Sequence, residues 1–335
     1  MTSSLLPKII VILGPTASGK TELALRLAKE FSAKGGPASG WNGVEIISAD
    51  SRQVYKYLNI GSAKPSGKWE KLPDSDGQDS NQDNANQVYM VDGVPHYLMD
   101  ILDPAESFSV ADFKRLALEK IADIQRRGKI PFIVGGTGLY IQALVENWDI
   151  AGVLPNKELR DELEAKSLSE LIKQLGVADK QSLKIVDLKN KRRVIRALEV
   201  ALGGGGAAAR RGKRTKNKLF DYLMVGINWP LTTLRERIQA RLAEQLARGF
   251  TLETKSLIRA GYSLDLPSLS SLGYKEIVRY LAGEMTDLEA EEKIATNIWR
   301  YAKRQNTWFR QMPGINWIKG ADYDESTRLI QQFLR

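Results

Sequence analysis

The sequence predicts an α/β fold: a core built on a mostly parallel sheet, a helical insert and a helical C-terminal region. Three observations carry this. Short apolar, β-branched runs each end at Gly, Ser or Asp, helix-period segments lie between them, and the first run leads straight into a glycine-rich turn.

The first strand is Lys8-Ile9-Ile10-Val11-Ile12-Leu13, ending at Gly14. The second is Val44-Glu45-Ile46-Ile47, ending at Ser48-Ala49-Asp50. Ile130-Pro131-Phe132-Ile133-Val134, ending at Gly135-Gly136, and Tyr222-Leu223-Met224-Val225-Gly226-Ile227 are the third and fourth. Such runs suit strands buried on both faces. Helical periodicity covers residues 21–31, 110–127 and 139–146. An open sheet of this kind holds its ligands at the strands' C-terminal ends. Residues 1–150 therefore read as the core. It is interrupted at 66–88 by a mobile loop insertion rich in Asp, Asn, Ser and Gln. Residues 151–203 read as a helical insert and 204–218 as a flexible basic linker with a glycine run and Arg210, Arg211, Lys213 and Arg214. Residues 219–335 return to the core and turn mainly helical, over 231–249, 251–260, 274–281 and 287–311.

Composition narrows the function classes. With 335 residues, 43% apolar and 27% charged, the chain is an ordinary folded protein. No apolar run reaches the length of a bilayer span, and the N-terminus lacks the pattern of a secretory leader, so no membrane partner and a cytoplasmic location are expected. There are no cysteines, which excludes disulfides and thiolate zinc sites. His96 is the only histidine, which argues against His-cluster metal sites. The net charge of +9 is a weak pointer to a polyanionic partner.

Gly14-Pro15-Thr16-Ala17-Ser18-Gly19-Lys20-Thr21 matches G-x-x-x-x-G-K-[ST] between a strand and a helix, and makes the core P-loop NTPase-like. Glycines let successive N–H groups face an anion, and the helix adds its positive end. Lys20 is a point charge for phosphate oxygens, and Thr21 offers a hydroxyl to Mg²⁺. The pattern is shared with nucleotide-binding and ATP-binding proteins and does not say which molecule carries the phosphates. The third strand ends in Gly135-Gly136-Thr137 without an acid, which argues against mechanical ATP hydrolysis.

Asp50 sits at the end of the second strand, on the edge that holds the phosphate loop. There it is either a proton acceptor or magnesium-water holder, or the cap of the following turn. Thr137, in Gly135-Gly136-Thr137-Gly138, stands either at a phosphate or base or in a plain turn. Two segments are basic: Lys191, Arg192, Arg193 and Arg196 leading into the linker, and Trp299 to Arg310, which has no acid. Basic residues pair with phosphates and aromatic rings stack on bases, while the alternative is a helix with a solvated basic face.

Together with the phosphate loop, the segments SADSRQVY (from Ser48), NIGSAKP (from Asn59), PHYLMDILDP (from Pro95), SVADF (from Ser109), VGGTGLY (from Val134), RALEV (from Arg196), LGY (from Leu272) and KRQNTW (from Lys303) run in order along the chain. In these the sequence resembles the tRNA dimethylallyltransferases, or tRNA isopentenyltransferases, of bacterial type. The resemblance implies transfer of a dimethylallyl group from dimethylallyl diphosphate to N6 of adenosine 37 in the anticodon stem-loop of tRNA, with Mg²⁺ as cofactor and a monomeric enzyme. It implies Asp50 as general base and Thr137 as catalytic-site threonine. The donor would lie on Gly14, Pro15, Thr16, Ala17, Ser18, Gly19, Lys20, Thr21 and Arg241, with Thr21 at the metal. The tRNA would be contacted by Ser51, Arg52, Gln53, Arg160, Arg192, Arg193, Arg196, Gly273, Tyr274, Lys275, Lys303, Arg304, Gln305, Trp308 and Arg310. The competing readings are a P-loop small-molecule kinase and an RNA-binding ATPase.

Overall fold

The computed structural model describes residues 6–35, 40–72, 87–150, 156–205, 213–214 and 217–335. The chain forms two compact units. The first comprises Met1–Ile141 and Leu219–Arg335, the second Gln142–Lys218.

In the first unit the apolar runs become β1 (Lys8–Leu13), β2 (Val44–Ser48), β6 (Ile130–Gly135) and β9 (Asp221–Asn228). The sheet also contains β3 (Lys68–Lys71), β4 (Gln87–Val91), β5 (Val94–Tyr97) and β10 (Ile315–Lys319). Among the described residues its order is β10-β9-β1-β6-β2-β5-β4-β3. β1 pairs in parallel with β6 and β9, and β2 with β6 and β5, while β3 and β4 are antiparallel additions at one edge. Covered on both faces, β1 buries Ile9 through Leu13 completely.

Helix α1 (Lys20–Ala33) turns Leu23, Ala24, Leu27, Ala28 and Phe31 onto one face of the sheet. Helices α2 (Val110–Arg126) and α3 (Gly138–Val145) follow β5 and β6 respectively. A capping box between Ser109 and Asp112 starts α2. A second apolar cluster gathers α7 (Leu231–Ala247), α8 (Phe250–Arg259), α9 (Tyr274–Leu281) and α10 (Asp287–Arg310) around Leu234, Phe250, Tyr274 and Ile294. Helix α11 (Tyr323–Leu334) closes the unit. The second unit packs α4 (Lys157–Glu164), α5 (Leu168–Ala178) and α6 (Lys191–Leu202) on Leu163, Leu171, Leu175 and Leu198, beside a two-stranded pair of β7 (Trp148–Asp149) and β8 (Lys213–Arg214).

Several boundaries differ from the sequence expectation. The 66–88 segment is not one loop: Lys68–Lys71 pairs with Gln87–Val91, where Trp69 packs edge-on against Tyr89, and residues 73–86 lie outside the described residues. β4 and β5 are additional to the strands the sequence predicts. They are short, but the two-residue turn Asp92-Gly93, with both φ positive, is the usual signature of such a hairpin. In the 204–218 linker, Lys213 and Arg214 form a strand, while residues 206–212 and 215–216 lie outside the described residues. The second unit also begins earlier than residue 151. Glu45, inside an otherwise apolar run, is fully buried yet satisfied. Its carboxylate accepts from both Arg127 Nη atoms at 2.5 and 2.6 Å, from Lys129 at 2.6 Å and from Tyr97 at 2.8 Å.

Candidate active site

The turn after β1 is held from outside. Trp229 Nε1 donates to Ser18 O at 2.9 Å, Arg237 Nε to Ala17 O at 2.8 Å, and Arg241 to Thr16 Oγ1. Ala17 and Gly19 take φ of 62° and 90°, which curls the chain back. Thr16 N–H donates to Gln305 Oε1 and Ser18 N–H to Pro15 O. The N–H groups of Ala17, Gly19, Lys20 and Thr21 have no partner among the described residues and stand where α1 begins. Free N–H groups at a helix start make an anion cradle.

Lys20 reaches back to Pro15 O at 3.3 Å. Burial lowers its pKa to about 8, Asp50's charge pulls it up again, and Arg241 adds to the lowering. Burial likewise lowers Arg241, to about 10, against the pull of Asp50. Two cations are thus held close together, short of anionic partners, with Asp50 their principal counter-charge. That arrangement suits a multiply charged anion.

Asp50 follows β2. Its Oδ1 accepts from Arg52 N at 2.9 Å and Gln53 N at 3.4 Å, so one oxygen closes the turn. Across from it, Thr137 Oγ1 accepts from Ser51 N at 3.1 Å, and Thr137 N donates to Ala49 O. Gly135 permits this, because a Cβ there would collide with the Ala49 carbonyl. Burial, then Asp50's charge, raises the pKa of Tyr301 to about 12. Thr16, Asp50, Arg52, Arg241, Tyr301 and Arg304 line one cavity, with Phe250, Leu272 and Ile298 as its apolar wall. The site therefore joins an anion cradle, an acid and an apolar wall.

The expected RNA contacts divide by exposure. Lys275, Lys303, Arg304, Trp308 and Arg310 are exposed. Lys303 lies over Trp299 and Arg304 over Tyr301. In the second unit, Arg192 and Arg193 are exposed, Arg193 pairs with Asp187 at 3.4 Å, and Arg160 and Arg196 both bond to buried Glu199. Ser51 and Arg52 are half-buried, and Arg52 is tied to Pro267 O and Ser270.

Four of the residues expected at the RNA are turned away from solvent. Gln53, Gly273, Tyr274 and Gln305 are buried. Gln53 Nε2 donates to Ser62 O and Ala63 O, and Tyr274 donates to Glu253 at 2.8 Å while its ring meets Phe250 edge-on. Gly273 has φ 99° and no room for a Cβ against Phe250. Gln305 spans two loops, accepting from Thr16 N and donating from Nε2 to Gly136 O, both at 2.8 Å.

Sequence reasoning missed Trp229, Arg237 and Glu253, and it placed Tyr301 in the basic aromatic stretch without a part in the cavity. Glu253 accepts from the N–H groups of Asn59, Ile60 and Gly61 at 2.7–3.0 Å and from Tyr274. It fixes the NIGSAKP segment whose carbonyls hold Gln53. Nothing in its helical context marks it. Glu253→Ala should cost about 3 kcal/mol in chemical denaturation, since several charge-assisted bonds lose their acceptor.

The sequence pattern of the family described as IPP transferase matches residues 78–312, more than half of the chain. A tRNA dimethylallyltransferase of Bacillus cytotoxicus is 36% identical over 329 residues, covering 97% of this chain and 94% of that protein. The chain belongs to the IPP transferase family. Solved structures agree with the membership. The tRNA isopentenylpyrophosphate transferase of Bacillus halodurans has a TM-score of 0.64 at 34% identity, covering 98% of this chain and 95% of that one. A eukaryotic dimethylallyltransferase acting on tRNA has a TM-score of 0.72 at 25% identity, covering 97% of this chain and 77% of that one.

Proposed function

We propose that the chain transfers a dimethylallyl group from dimethylallyl diphosphate to N6 of adenosine 37, beside the anticodon of tRNA, on a P-loop-type core. The observation that carries this reading is the partnerless cradle at Ala17, Gly19, Lys20 and Thr21, whose neighbour Thr16 lines a cavity with Asp50, Arg241 and an apolar wall. The diphosphate lies on the cradle with Lys20 and Arg241, and the five-carbon group lies against Phe250, Leu272 and Ile298. The C1–O bond breaks and the N6–C1 bond forms, while the N6 proton passes to the free oxygen of Asp50. Lys20, Arg241 and the N–H groups stabilise the departing diphosphate. Thr137, held by the Ser51 N–H, orients the incoming base. Arg192, Arg193, Lys303 and Arg304 are exposed cations suited to the RNA backbone, and Trp308 gives an exposed ring for stacking. The target base must leave its stack to react.

Mg²⁺ fits the donor set. The Thr21 hydroxyl would hold it in a small cavity that Asp50 also lines, and no cluster of three His, Cys, Asp or Glu exists among the described residues, so phosphate oxygens and water would supply the rest of the shell. When bound, the cation supplies charge neutralisation at the diphosphate.

The deciding experiment is mass spectrometry of nucleosides from bulk tRNA incubated with the protein, Mg²⁺ and dimethylallyl diphosphate. A five-carbon addition to adenosine is expected. ATP consumption with unaltered RNA would replace this reading with an ATPase, and phosphate transfer to an alcohol with a kinase.

The Lys20 pKa sets a pH dependence. The charged ammonium is present below about 8 in the free protein and is lost as pH rises through that value. The kcat/KM for the donor should therefore fall above about pH 8. The kcat should stay flatter, because bound diphosphate raises the lysine's pKa.

A further inference from the structure

His96, the lone histidine, takes no part in the steps above, yet its side chain is built into the same place. It lies in β5, paired with Ile46 of β2, and is only 2% exposed. Nδ1 is 2.9 Å from Val94 O, so Nδ1 carries the proton and donates. With the Nδ1 proton directed at Val94 O, Nε2 is the ring's lone-pair acceptor. That acceptor has no partner among the described residues. A buried acceptor without a donor is costly. His96 lines a cavity with Lys20, Thr21, Ser48, Asp50 and Gln53. The cavity is about 10 Å³, room for one water molecule. Two of its lining residues call for hydrogen donors: His96 with its unpartnered Nε2, and Asp50 with its carboxylate. A water bound to a cation through its own lone pair has two hydrogens to donate and meets both.

We propose that His96 is a positioning residue: its Nε2 accepts a hydrogen bond from a water in the coordination shell of the metal that accompanies the donor's diphosphate. This rests on the reading that the diphosphate lies on the loop at residues 14–21. Groups that orient a metal's ligands in this way typically change metal affinity by about 10–100-fold when removed.

The test is calorimetric binding of inorganic pyrophosphate, with Mg²⁺ or with EDTA, to wild type, His96→Asn and His96→Gln. Asn keeps a donor for Val94 O but has nothing at the Nε2 position, whereas Gln reaches that position with an acceptor. His96→Asn should weaken magnesium-pyrophosphate binding by about 10–100-fold, leave binding in EDTA unchanged, and be rescued by His96→Gln. Equal losses with and without Mg²⁺, no loss, or no rescue would each overturn the proposal while leaving the donor site standing. Wild-type protein that ignores magnesium pyrophosphate would overturn the proposal and the donor site together. A crystal of the wild-type protein with magnesium pyrophosphate and no water at Nε2 would overturn it whatever the variants do.

Discussion

Asp50→Asn should lower kcat by about 10²–10⁴-fold while tRNA binding and the melting temperature stay close to wild type. Asn is the informative replacement because Asp50 has two duties. Its Oδ1 closes the turn through Arg52 N and Gln53 N, and an amide oxygen can do the same. What Asn lacks is a basic oxygen for the N6 proton. The adenine amine is a poor nucleophile, its lone pair being delocalised into the ring, so losing the proton acceptor falls on the chemical step. Asp50→Ala removes both duties and should add a loss of stability. Single-turnover rates at saturating tRNA, beside filter-binding affinities, separate the two. A loss of binding as large as the loss of rate would show that Asp50 shapes the surface instead of serving the reaction. The negative charge lost in Asn also stops holding up the lysine, so Lys20 should titrate lower than in wild type.

Lys20→Ala should lower kcat by about 10²–10³-fold and raise the KM for the donor. Lys20 and Arg241 are both partly stripped of water by burial, which lowers their pKa values. A cation held dry is costly before the anion arrives and correspondingly effective once it does. The charge that develops as C1 leaves falls on diphosphate oxygens, so this stabilisation grows along the reaction coordinate. Rapid-quench turnover with donor titration reads both parameters. If Lys20→Ala raised KM with kcat unchanged, the lysine would bind ground state and transition state alike.

The parts of this molecule legible in the sequence are those where local chemistry and fold agree. The four central strands were readable because each is apolar over most of its length, and the cradle because its glycines and lysine have fixed spacing. Helices α7 to α10 followed from their period. The antiparallel edge was not readable, since β3 is polar and mostly exposed, with only Trp69 and Tyr89 to mark the pairing. The supports of the site were equally hidden. Trp229, Arg237 and Glu253 act over 192 or more positions of sequence, and no pattern in one segment announces a partner so remote. Tyr274 and Gln305 lie in segments that the resemblance marked, yet they face inward. A motif locates a segment, while the helix phase decides which of its members see solvent.

That phase makes α10 sensitive to a change that composition would not register. Gln305 points inward to the two loops of the site, while Lys303, Arg304 and Trp308 point outward from the same helix. Deleting or adding one residue between Thr286 and Lys303 turns everything beyond it by about 100°. The inward amide would swing away from both loops as the outward cations swung towards the interior. The two surfaces of this helix are therefore geared to one another, and drift in its length is closed to them.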